Sequence, residues 1–162
     1  MMTFQELYES YHADIFRFAL WLSRDESEAE DLASETFVRA WTQRHRLRTE
    51  TLKAYLLAIT RNAFLDLRRR SRRRVELVED PEDSRPGPQR AVTARIELQR
   101  IRQAMASWPE PDRVALVLRA EQELPYGEIA RVLGISESGA RVKVHRARRK
   151  LLNLYMSEKG ES

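Results

Sequence analysis

The sequence contains no cysteine, which removes disulfides, thiolate metal sites and thiol nucleophiles at once. Its three histidines, His12, His45 and His145, are scattered and offer no metal-ligand spacing. Carboxylates are plentiful, but they fall on the polar faces of helical patterns, with no paired histidine or Ser-His constellation beside them. No apolar run approaches membrane-spanning length, and no signal-peptide pattern is present. β-alternation longer than a few residues is missing throughout. These absences point to an all-α protein, soluble and cytoplasmic, with no catalysis, cofactor, metal or small-molecule substrate.

What the sequence does have is positive charge concentrated in two places. The net charge of +4 over 162 residues is modest, but local density drives phosphate binding. Six arginines fall in the seven residues from Arg68 to Arg74, and residues 141–150 hold six Lys/Arg and no carboxylate. Between these runs, residues 75–93 carry Glu76, Glu79, Asp80, Glu82, Asp83, three prolines and Gly87, with little apolar content. That composition predicts a flexible acidic linker joining two small helical domains, 1–74 and 94–156. Its nineteen residues reach about 60 Å when extended, on the order of 18 base pairs. Two basic surfaces on separate domains fit one polyanion gripped twice, nucleic acid above all.

The N-terminal half reads as three helices. Thr3-Phe4-Gln5-Glu6 has the form of a capping box, and Phe4, Leu7, Tyr8, Tyr11, Ile15, Phe18, Ala19 and Leu22 then recur as one apolar stripe. Asp25 is the next N-cap candidate. Behind it come Ala29, Leu32, Ala33, Thr36, Phe37, Ala40 and Trp41, with Glu28, Asp31, Glu35 and Arg39 on the opposite face. A polar connection from Gln43 to Glu50 leads to a third helix starting near Thr51. Leu52, Tyr55, Leu56, Ile59, Ala63 and Leu67 form its buried face before the arginines take over.

Glu30-Asp31-Leu32-Ala33-Ser34-Glu35-Thr36-Phe37-Val38-Arg39-Ala40-Trp41 resembles the EDL-x-x-ETF-x-RAW signature of region 2 in bacterial sigma factors. The similar branch is the extracytoplasmic-function (ECF) group of the sigma-70 family. Ala54-Tyr55-Leu56-Leu57-Ala58-Ile59-Thr60-Arg61-Asn62 is similar to the AWL-x-x-IARN segment that follows it, with Tyr55 where the family usually has Trp. The resemblance implies that the second helix docks on a coiled coil of the largest polymerase subunit. Asp31, Glu35 and Arg39 lie at i, i+4 and i+8, one face suited to interhelical ion pairs. A solvated charged face is the plainer reading of the same residues. The resemblance also implies that the third helix holds the minus-10 promoter element as single-stranded DNA. Tyr55, Arg61, Asn62, Asp66, Arg68 and Arg69 supply the residue types for stacking, base-edge contact and phosphate binding. The cationic connection Arg44, His45, Arg46, Leu47 and Arg48 would wall a pocket for an extruded base.

In the C-terminal half, Ile96, Ile101, Ala104, Met105 and Trp108 predict one helix ending at Trp108-Pro109. Pro111 opens a short second helix carrying Val114, Leu116, Val117 and Leu118. Pro125 to Ser136 then reads as a helix-turn-helix. Small Ala130 and Gly134 would let the helices approach closely, with Ile129, Leu133 and Ile135 filling the angle. Ser136 caps the second motif helix, whose buried stripe is Ala140, Val144, Ala147 and Leu151. The segment resembles region 4 of the same family, in the pattern SYEEIAEILGIS-x-x-TVKSRLHRARKRL. Carried over residue by residue, contacts to the minus-35 element fall on Arg141, Val142, Lys143, His145 and Arg146. Arg141 is the candidate for a bidentate guanine contact and Val142 for a thymine methyl; Lys143, Arg148, Arg149 and Lys150 are candidates for phosphates. Pro125 replaces an N-cap Ser, and Gly139 stands where the family normally has Thr.

The resemblance implies an alternative sigma factor that partners the beta and beta-prime subunits of core RNA polymerase, promoter DNA and an anti-sigma factor. Two readings compete with it. A homodimeric helix-turn-helix regulator would bind a palindrome without polymerase. A non-specific nucleic-acid-binding protein would use the arginine run alone, and Arg141→Ala would leave its sequence preference untouched.

Overall fold

Helix α1 (Phe4–Ser23) starts with the capping box that its sequence predicts: the Glu6 N–H donates to Thr3 Oγ1, and the Thr3 N–H donates to Glu6 Oε2, both at 3.1 Å. It ends at Arg24, which takes the left-handed conformation (φ 60°) and donates its N–H to the Leu20 carbonyl. Asp25 then caps α2 (Glu26–Thr42) by accepting from the Glu28 N–H at 3.0 Å. A 3-10 turn (Arg44–Arg46) precedes α3 (Leu52–Val75). The second half carries α4 (Thr93–Ala106), α5 (Glu110–Ala120), α6 (Tyr126–Leu133) and α7 (Glu137–Gly160). This computed structural model describes residues 2–47, 51–75 and 93–160, and no strand occurs among them. The chain divides into two compact units, Met1–Pro88 and Gln89–Ser162.

In the first unit the three helices pack on one another around Leu7, Ile15, Phe18, Leu22, Leu32, Phe37, Leu56 and Leu57. Two features depart from the expected stripes. Phe4 and Tyr8 are exposed (40% and 38%), Phe4 meeting Trp41 edge-on and Tyr8 meeting Phe37 at a tilt, while Leu7 takes the buried side of the same turns. The buried arc of α3 also includes Ala54, Leu57, Thr60 and Phe64, while Tyr55 and Leu67 are half-buried. Helix α3 packs against both α1 and α2, so it buries more than a single stripe. Thr36 of α2 and Thr60 of α3 meet where the two helices pack, hydroxyl to hydroxyl at 2.9 Å, each also near its own i−4 carbonyl.

The arginine run is helical. Helix α3 passes through it as far as Val75, and Thr93 already belongs to α4, so both ends of the expected 75–93 linker are helical. Residues 76–92, which carry its acidic and proline content, lie outside the described residues, as do Arg48 and the rest of 48–50.

The second unit is built on α5, which is buried through the consecutive residues Val114, Ala115, Leu116, Val117 and Leu118 and packs against α6 and α7. Helix α4 ends at Ala106, short of Trp108; Met105 is its deeply buried side chain, and Ile96 is exposed. The helix-turn-helix has its expected place, but Gly134 serves a different purpose from the expected close approach. It adopts φ 67°, and a Cβ there would meet nothing within 4 Å. Glycine is needed for its left-handed backbone, which ends α6. Ser136 Oγ accepts the Gly139 N–H at 3.0 Å, so Gly139 sits in the capped first turn of α7, where a helix-interior penalty has little bearing.

Candidate nucleic-acid interface

Positions on α3 sort the predicted minus-10 residues into two rows. Tyr55, Asn62, Asp66 and Arg69, separated by seven, four and three residues, share one face; Arg61 and Arg68 lie seven apart on a neighbouring one. Asn62 is exposed, which suits an amide that both donates and accepts. Tyr55 is half-buried, and its hydroxyl donates to Gln43 Oε1 at 2.7 Å, tying α3 to the end of α2. Arg61 is half-buried. Arg44, in the turn before α3, stacks on Trp41 (4.7 Å to the ring centroid) and donates to the Trp41 carbonyl.

The face assigned to polymerase and the face assigned to DNA touch. Arg39 donates from Nε to Glu35 at 2.8 Å and from both Nη atoms to Asp66 Oδ2 at 3.4 and 3.5 Å. Arg69 reaches the other Asp66 oxygen at 3.3 Å. The Glu35 hydrogen bond, with the charges of Glu35 and Asp66, raises the Arg39 pKa against the opposing pull of burial. Asp31 and Glu35 are exposed, whereas Arg39 is half-buried by this network.

Glu28 was missed as a partner of the site. Its carboxylate lies 3.3 Å from Arg68 Nη2, and burial pushes its pKa above the usual carboxylate value while Arg68 pulls it down. The contact is an ion pair of poor hydrogen-bond geometry, since Glu28 Oε1 accepts no hydrogen bond. Arg68 also lies over the Phe64 ring at 4.9 Å. Glu28 stands forty residues before Arg68, and no local spacing links the two.

In the second unit, Tyr126, Arg141, Val142, His145, Arg146 and Arg149 line a depression of about 460 Å³. Arg141, Val142, His145 and Arg146 are exposed on α7, and Val142 at 46% presents a large apolar surface to solvent. Such a mixture suits a major groove: guanidinium forks for guanine edges and phosphates, and an isopropyl group for a thymine methyl. Lys143 departs from the others. It is half-buried, and its ammonium lies 3.2 Å from Asp112 of α5, so it braces α7 against α5. Arg148, Arg149 and Lys150 are exposed, with Lys150 5.6 Å from the Trp108 ring centroid. Among the described residues no cluster of His, Asp or Glu could hold a metal ion, and no helix is long and apolar enough to cross a membrane.

Residues 7–74 match the family model for sigma-70 region 2, and residues 98–151 match that for sigma-70 region 4. The chain is 34% identical over 158 residues to the ECF RNA polymerase sigma factor SigM of Bacillus subtilis (strain 168), covering 95% of this chain and 96% of that protein. Among solved structures it resembles the sigma factor RpoE in complex with the anti-sigma factor NepR from Bartonella quintana. That likeness has a TM-score of 0.82 at 25% identity, over 94% of this chain and 96% of the other. CnrH in complex with the cytosolic domain of CnrY shares the fold, with a TM-score of 0.72 at 24% identity over 95% and 88% of the two chains.

Proposed function

The chain belongs to the sigma-70 family of RNA polymerase sigma factors, in its ECF branch, and we propose that it directs core polymerase to promoters by gripping them at two elements. It is an alternative sigma factor, and we read it as a non-catalytic subunit working in the cytoplasm. Residues 1–74 form the region 2 domain and 94–156 the region 4 domain, with 75–93 joining them. Asp31, Glu35 and Arg39 meet core polymerase. Tyr55, Arg61, Asn62, Asp66, Arg68 and Arg69 hold the melted minus-10 strand, by stacking, base-edge and phosphate contacts, Asp66 acting as an acceptor that also pairs Arg39 and Arg69. Arg141, Val142, His145 and Arg146 read the minus-35 duplex, and Lys143 supports them from its bridge to Asp112.

One observation carries this reading. A cationic α3 and an exposed cationic α7 occur in a single chain, on the two segments that match regions 2 and 4. An anti-sigma partner is proposed from the likeness to RpoE, whose structure is a complex with the anti-sigma factor NepR. Run-off transcription with bacterial core polymerase on a library of random promoters, with and without this chain, tests the proposal. Initiation enriched on templates sharing two spaced elements is the expected result. No initiation, beside sequence-specific duplex binding by the chain alone, would sink it in favour of a dimeric regulator.

A further inference from the structure

The depression on α7 contains one residue outside the sequence-derived site, Tyr126. It is the first residue of α6 and follows Pro125, whose ring fixes φ at −61° where the chain enters the helix. Two guanidinium groups lie against its ring: that of Arg119 on α5 at 4.3 Å from the centroid and that of Arg141 on α7 at 4.7 Å. Arg119 also donates from Nη1 to the Leu124 carbonyl at 3.0 Å, which anchors it to the connection leading into α6. Arg141 is further held by Glu137, at 3.2 Å. A long exposed side chain is thus restrained by a ring from one helix and a carboxylate from its own.

We propose that Tyr126 is a positioning residue for base reading: its ring, braced by Arg119, holds the Arg141 guanidinium in the direction from which it meets a base edge. The inference rests on the assignment of Arg141 to the minus-35 element. A guanidinium fork needs its plane aligned with the two acceptors of guanine, and a freely rotating arginine loses rotamer freedom when it docks. A misaimed guanidinium still attracts phosphate at any sequence. Removing the ring therefore weakens the preferred base more than its competitors, and discrimination falls at the one position that Arg141 reads.

The test uses the full-length chain with core polymerase on promoters randomised in the minus-35 element, scoring preferred against disfavoured bases at each position. Arg141→Ala is expected to flatten the preference at one position. Tyr126→Leu is expected to lower the ratio at that same position about two- to fivefold, the effect of an exposed cation–π contact, and Tyr126→Phe to retain it. Should Tyr126→Leu not fold, Arg119→Gln leaves the ring in place, removes its brace and lowers that ratio about twofold. An unchanged ratio in the variant that folds, an equal fall at all positions, or a Phe variant as impaired as Leu would overturn the proposal. If Arg141→Ala itself leaves every ratio intact, the assignment of Arg141 fails first.

Discussion

Glu28 on α2 pairs directly with Arg68 on α3, forty positions later in sequence. Its pKa is raised by burial, with Arg68 opposing. Below the ordinary value of 4.5 it is protonated in folded and unfolded chains alike. As pH rises through that value toward the raised folded pKa, the unfolded chain ionises first and stability falls. Urea midpoints at about pH 4 and pH 7 should therefore drop more for the wild type than for Glu28→Gln. The same substitution leaves Arg68 without its ion-pair partner. Affinity for a single-stranded minus-10 oligonucleotide should rise about two- to fivefold, the range of a partly exposed pair. An equal gain in an Arg68→Ala background would show that the effect comes from elsewhere.

Helix boundaries and caps were largely legible, because Thr3, Asp25, Ser136 and Pro111 act within one turn of where they stand in sequence. Which residues join across helices was not. The Thr36–Thr60 pair, Glu28 with Arg68, and Tyr126 with Arg141 each link separate elements, and stripe patterns carry no information about such partners. The threonine pair makes this testable. Two hydroxyl protons face three bonds, to Leu32, to Leu56 and to each other, so at most two form at once. Thr36→Val and Thr60→Val should each destabilise by about 1 kcal/mol, and the double variant by less than their sum, in a denaturant double-mutant cycle. Full additivity would mean that the hydroxyls do not interact. At the α1–α2 junction, Arg24 holds φ 60° without being glycine. Arg24→Gly should raise stability by about 1 kcal/mol in thermal melts, provided the exposed side chain contributes little.

For the chain as a unit, net charge is a poor guide to DNA affinity, since +4 is what remains after acidic and basic segments cancel. Salt dependence counts local phosphate contacts instead. Arg149→Ala, on the exposed rim of the α7 depression, should weaken duplex binding to all sequences alike. It should also make the slope of log affinity against log salt shallower by about 0.9, measured by fluorescence anisotropy across a salt series. A change in base preference would mean that Arg149 reads sequence.

Arg68, Arg69, Arg141 and Lys143 each already face a carboxylate of their own domain. A polyanion that engages any of these four must first displace its carboxylate. Random genomic duplex offers phosphates but neither a melted strand nor a matching base edge, so it gives little in exchange for the evictions. Through these four cations the free protein should therefore gain little from bulk DNA, leaving them available for a promoter where both elements answer together.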